Sequence, residues 1–171
     1  MPAGRAFAFP PAARNMRYIM DSHLRQIVDV LLACRSADEV TPRSFEPKLL
    51  PHLFVLERER EEPLRLRVRL AGTRLNEIFG RRLEGHHVED FMHGPRSADV
   101  IRGFHDCATA HTPLWMRQVV SLPGRAPRFV EGVLVFLPPN RIYGGLTAGE
   151  YATGLEPART FERKEIAPVR N

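Results

Sequence analysis

Between Leu64 and Ala71 the chain alternates strictly: Leu64, Leu66, Val68 and Leu70 are separated by Arg65, Arg67 and Arg69. A period of two predicts a strand with one buried and one wet face. The alternation breaks at Ala71-Gly72. Thr73 then predicts the cap of a short helix, Arg74 to Phe79, closed by Gly80, and a second glycine, Gly85, precedes the apolar pair Val88 and Phe91. Upstream, Leu53 to Glu61 predicts a partner strand, joined to the first by a charged, proline-containing turn. In an antiparallel register Glu61 faces Arg65, Glu59 faces Arg67 and Glu57 faces Arg69. Each such pair contributes about 0.2–1 kcal/mol. The arginine row therefore reads as a solvated face that sets register, not as an anion site.

From Met16 to Ala37 the period becomes helical, with Ile19, His23, Ile27, Val30, Leu31 and Cys34 recurring at three and four. This helix either packs on its own domain or pairs with its copy in a dimer. Asp38 to Pro51 carries Pro42, Pro47 and Pro51, which rule out a continuous helix and allow a short turn at Lys48-Leu49-Leu50. Downstream, Ser97 predicts the N-cap of a helix reaching about Ala110, with Val100, Phe104, Cys107 and His111 on one stripe and Ile101 and Ala108 at its margin. Three strands follow, Leu114 to Leu122, Arg128 to Leu137 and Arg141 to Gly149, the last two joined at Pro138-Pro139-Asn140. The middle one is apolar on both faces, at Val133, Val135 and Leu137 and at Leu134 and Phe136. Its outer side needs a cover, either the N-terminal helix or a second subunit. The division is a leader at 1–15, an N-terminal helix at 16–40, a domain at 41–149 and a tail at 150–171.

Two segments carry a family resemblance. Arg69-Leu70-Ala71-Gly72-Thr73, leading to Phe79-Gly80 and then Gly85, resembles the centre of a PAS domain, most closely that of short bacterial single-PAS proteins. Pro42, Arg43, Phe45, Pro47, Leu50 and Pro51 resemble the entry segment of the same family and precede the strands in the matching order. The resemblance covers Thr41 to Gly149. It implies an α+β fold, a PAS-like five-stranded antiparallel sheet with helices on one face, to which the N-terminal helix is added.

Composition is that of an ordinary globular chain of 171 residues, 43% hydrophobic and 26% charged. No apolar run approaches the roughly 18 residues a membrane span needs. After Arg5 only Ala6 to Phe9 come before Pro10, too few for a signal-peptide core, so a cytoplasmic location is expected. The net charge of +5 raises the question of nucleic acid. All basic residues except Lys48 and Lys164 are arginines, spread along the chain among acids, with no basic–aromatic cluster, so nucleic acid is not the expected partner. Cys34 and Cys107 form neither a disulfide framework nor a zinc motif.

Catalytic motifs are missing: there is no nucleophile elbow, P-loop or dinucleotide fingerprint. His86 and His87 point to opposite faces of an extended segment, so with His93 they read as loop histidines rather than ligands. A ligand pocket, if the core leaves one, has Phe79, Phe91, Ile101, Phe104, Trp115 and Val133 as walls and His105, Arg117 or Gln118 as polar contacts. The alternative is that these aromatics fill the core. The resemblance admits haem through His105 or His111 on the long helix, whereas the cysteine motif of flavin photosensors has no counterpart. The expected function is a non-enzymatic signalling module that binds protein partners, itself included, with a small apolar ligand as an option. Ile19, His23, Ile27, Val30 and Leu31 are its dimer candidates. The rival is a haem or flavin sensor, or a small enzyme on a similar sheet, with Glu131 or His105 as its perturbed acid or base.

Overall fold

The computed structural model describes residues 16, 18–92, 96–120, 122, 124–150 and 161–166. The leader at 1–15, His93, and the tail residues 151–160 and 167–171 lie outside the described residues. The elements are α1 (Ser22–Leu32), β1 (Leu53–Glu61), β2 (Leu64–Ala71), α2 (Thr73–Phe79), α3 (Ser97–Ala110), β3 (Leu114–Val120), β4 (Arg128–Leu137), β5 (Arg141–Glu150) and β6 (Phe161–Glu165), with short 3-10 turns at Ala37–Glu39, Pro42–Ser44, Pro47–His52 and Val88–Asp90. The strands form one antiparallel sheet in the order β2-β1-β5-β4-β3-β6. The sheet thus has six strands where five were expected. The sixth, from the tail, pairs with β3, Leu114 opposite Glu165 and Gln118 opposite Phe161.

Each sheet face carries its own apolar layer. On the inner face α2, α3 and the 3-10 turn at Val88 bury Phe54, Leu56, Leu66, Val68, Leu75, Phe79, Phe91, Phe104, Leu134 and Phe136 together. On the outer face α1 and the 3-10 segment bury Ile19, Leu24, Ile27, Leu31, Phe45 and Leu49 against Val55, Trp115, Val133, Val135 and Leu137. The cover that β4 requires is therefore α1 of the same chain. Two consecutive glycines in β5 seat the two layers. A Cβ on Gly144 would strike the Phe54 ring from inside, and a Cβ on Gly145 would lie 2.7 Å from Ile27 Cδ1 and 3.2 Å from Leu24 Cδ2 on the outside.

Several boundaries differ from the expectation for local reasons. The helix expected over 16–37 spans only 22–32. Asp21 stops it by accepting the His23 N–H at 2.7 Å, the usual action of an N-cap aspartate. Ile19 is fully buried but precedes the helix, and Cys34 follows it. Helices α2 and α3 start one residue earlier than expected, with Gly72 and Arg96 at their N-caps instead of Thr73 and Ser97. Gly80 closes α2 in the left-handed region, φ 68°, as its sequence position indicates. The β1–β2 register carries two irregularities. At the first of them Arg69 is the extra residue: Val55 pairs with Leu70 and Leu56 with Val68. The bulge turns Leu70 to the outer face beside Val55, where it is 46% exposed, rather than inward with Leu66 and Val68. Direct partners differ from the expected ones, with Glu57 opposite Arg67, yet two of the three charge pairs form diagonally: Arg69 Nη1 lies 2.9 Å from Glu57 Oε2 and Arg67 Nη1 lies 3.1 Å from Glu59 Oε1. Glu61 pairs with Arg58 instead of Arg65.

Candidate functional site

The side chains expected to wall one pocket do not meet. Phe79, Phe91 and Phe104 belong to the inner layer, where Phe79 and Phe91 stack edge to face with centroids 5.3 Å apart. Ile101 packs at the rim of that layer. Trp115 and Val133 belong to the outer layer, across the sheet. Arg117 shares the outer side, over the Trp115 and Phe129 rings, and its guanidinium is 3.0 Å from Glu162. Gln118 faces inward to the Met92 sulfur. The inner aromatics fill their layer. The cavity bounded by Phe79, Phe91 and Phe104 measures about 20 Å³, and one beside Met116 and Gln118 about 10 Å³, room for about one water at most.

Neither histidine fits a haem. His105 Nε2 lies 3.2 Å from Glu89 Oε1, and His111 caps α3 at φ 55° with its ring stacked 3.9 Å over Phe136. Both are committed to local partners, and the inner cavities have no space for a macrocycle beside them. Glu131, the other candidate of the rival reading, is buried, but under α1 rather than beside a cavity: its Oε1 accepts the Asp21 N–H at 3.2 Å. Burial pushes its carboxyl up, and the backbone N–H groups of Asp21 and Met20 partly offset this. Among the histidines of the loop, His87 holds Glu59 at 2.8 Å and Glu59 below the usual carboxylate range, while His86 lies against Arg81. No group of three His, Cys, Asp or Glu among the described residues is arranged to hold a metal.

The space in this molecule lies on the outer face, where the sequence reading did not place it. A cleft of about 740 Å³ opens between the 3-10 segment, the C-terminal end of α1 and the β2-β1-β5 part of the sheet. Its floor is Leu53, Val55, Leu70 and Tyr143; Leu31 of α1 closes one side, and Pro42, Phe45, Pro47 and Pro51 the other. Three large apolar side chains are exposed among the described residues, and two of them, Leu50 and Leu70, line this cleft. Such concentration marks a binding surface more often than scattered exposure does.

The cleft exists because the two family-like segments lock together. Gly72 donates its N–H to Leu53 O at 2.7 Å, and a Cβ there would overlap the Pro51 carbonyl group and lie 2.6 Å from Leu50 O. The 3-10 turn at Pro47–His52 is thereby pressed onto the start of α2, holding the prolines as a wall over the sheet. At the opposite end His52 Nδ1 donates to Leu146 O at 3.2 Å and its ring stacks on His23 of α1, centroids 5.0 Å apart.

Every charge in the lining has a counterpart. Arg69 and Arg141 both reach Glu57, at 2.9 and 3.8 Å, and Arg141 Nη1 also donates to the Tyr143 hydroxyl at 3.4 Å. Glu84 accepts the Ala71 N–H and pairs with Arg82. A signal for this site was present in the sequence: Pro42, Phe45, Pro47, Leu50 and Pro51 are the entry-segment residues, read there as a mark of kinship and not as a surface.

A family model described as PAS domain matches residues 31–140 of the 171. No curated protein matches the chain, and no solved structure matches it.

Proposed function

The chain belongs to the PAS domain family, and from that premise we propose that it is a non-enzymatic, cytoplasmic interaction module whose working part is the α1 cover. A PAS domain implies a signalling sensor or interaction module. No helix among the described residues is long and apolar enough to cross a membrane. The observation that carries the reading is the outer layer: an 11-residue helix covers an apolar sheet face that β4 cannot present to water. When α1 leaves the sheet, Val133, Val135 and Tyr143 become a partner surface, and Ile27 and Leu31 become the matching one on a second copy. Seated and released α1 are the two arrangements such a switch requires. Ile19, Ile27 and Leu31 are fully buried in the seated form and His23 and Val30 partly exposed, so the dimer candidates act only after release.

Gly145→Val tests this. The added side chain meets Ile27 and Leu24 and leaves the inner layer untouched. Trp115, the single tryptophan, is 1% exposed in the outer layer and reports release by a shift of its emission to longer wavelength. The expected outcome is red-shifted emission together with a dimer in sedimentation equilibrium at concentrations where the unaltered chain is monomeric. A red-shifted variant that stays monomeric would refute the reading.

A further inference from the structure

From the lining of the outer cleft we infer that it binds an uncharged small molecule, an apolar body bearing one carbonyl-type oxygen, and that this ligand clamps α1 to the sheet. Three observations define the class. The volume, about 740 Å³, lies in the range of small-molecule sites, and the floor is apolar at Leu53, Val55 and Leu70. The charges around it are paired: Arg69 and Arg141 share Glu57, and Glu84 lies 3.4 Å from Arg82 and accepts the Ala71 N–H at Oε1, although its buried Oε2 has no hydrogen-bond donor. An ionic ligand would have to break one of these pairs and lose water as well, so the site selects against charge. The Tyr143 hydroxyl accepts from Arg141, and its own proton has no acceptor among the described residues. That proton is a donor for a ketone, ester or amide oxygen at the Arg141 end.

The link to α1 is direct. Leu31 is both a cleft wall and a core residue of α1, while Val55, Leu70 and Tyr143 belong to the sheet. A ligand touching both sides binds the seated arrangement better than the released one and shifts the population toward it. This second half rests on the reading of α1 as a releasable cover; binding itself does not.

The probe is Nile red, uncharged and carrying a carbonyl oxygen, titrated into the full chain by fluorescence, with anionic anilinonaphthalene sulfonate as the charged comparison. Expected is saturable Nile red binding that the sulfonate does not match. Leu70→Trp, which fills the mouth of the cleft from an exposed position, abolishes it. Tyr143→Phe weakens it about 5-fold, the worth of one hydrogen bond. Phe91→Leu, which enlarges the inner layer only, leaves it unchanged and separates the two faces. Equal affinity in Leu70→Trp, or equal binding of the sulfonate, overturns the assignment. Hydrogen exchange over residues 22–32 then slows when the probe is bound. Binding without that slowing overturns the clamp. Absence of binding overturns the cleft assignment and has no bearing on the release of α1, which Gly145→Val decides separately.

Discussion

Replacing Gly72 by alanine sets two effects of known sign against each other. Its backbone, φ −64° and ψ 157°, suits any residue. On conformational grounds alone, alanine would stabilise by about 0.4–1 kcal/mol, through lost freedom of the unfolded chain. The new Cβ, however, would be forced onto the Pro51 carbonyl group and lie 2.6 Å from Leu50 O. These are backbone atoms of a turn fixed by Pro47 and Pro51, and Gly72 itself is tied to Leu53 O. Neither side can yield without breaking the contact between the 3-10 segment and α2. Overpacking costs about 1–3 kcal/mol, and a contact between rigid backbones belongs at the upper end. The expected net loss is about 2 kcal/mol. Gly149→Ala is the matched control: it lies in β5 and a Cβ there meets nothing within 4 Å, so the same chemical change should be neutral or slightly stabilising. Urea unfolding followed by circular dichroism reads both. With a slope of about 2 kcal/mol per molar, the Gly72→Ala midpoint falls by about 1 M and that of Gly149→Ala does not. A Gly72→Ala midpoint within about 0.2 M of the unaltered chain at the same slope would show that the two segments are not locked by backbone contact.

Three further outcomes follow from other parts of the structure. Glu131 is raised above its ordinary 4.5 by burial, with the Asp21 carboxylate adding to the rise; Arg117 stands opposite it in β3. The folded state then binds this proton more tightly than the unfolded chain, so its contribution to stability is full below 4.5 and is lost as pH rises through the folded value. Glu131→Gln keeps an acceptor for the Asp21 N–H, and its urea midpoint should gain on the unaltered chain between pH 4.5 and 7.5; a constant gap refutes this. Cys107 is fully buried with its thiol pushed up to about 12, whereas Cys34 is half-buried. Iodoacetamide at pH 8 should therefore label Cys34 alone in the folded chain and both after unfolding, as mass spectrometry of peptides will show. Ile166 is 1% exposed in the outer layer; Ile166→Ala should cost about 2–4 kcal/mol, and an unchanged thermal midpoint would place the end of β6 outside the fold.

The strand β2 and the helix α3 were legible because one buried face repeats at a fixed period, and β1, β4 and β5 because short apolar runs are bounded by turn residues. Alternation assigns faces only while the register holds, and the bulge at Arg69 moves Leu70 across the sheet without any change in the pattern of residue types. β6 was missed because Phe161-Glu-Arg-Lys-Glu is an edge strand whose apolar content is one phenylalanine, the rest being charges, of which Glu162 pairs with Arg117 and Arg163 with Asp106. The start of α1 was misplaced since Ile19 continues the helical spacing although the helix begins only after its N-cap, Asp21. The site failed for a different reason. Aromatic size suggests a pocket, but Phe79, Phe91 and Phe104 fill space, whereas the cleft is held open by prolines that cannot collapse onto the sheet.

The position of α1 has a consequence for how the molecule is made. It leaves the ribosome before every other described element, yet its seat is β4 and β5, and the Asp21 N–H to Glu131 bond joins residues 110 apart. Chains are synthesised at about 5–20 residues per second, so the helix waits several seconds for a surface to pack on. An amphipathic helix of 11 residues is too short to persist alone. The outer layer is therefore closed only once β4 and β5 have emerged. Its closure joins the first described helix to strands about a hundred residues later, so any chain cut short before β5 would leave the apolar face of α1 uncovered.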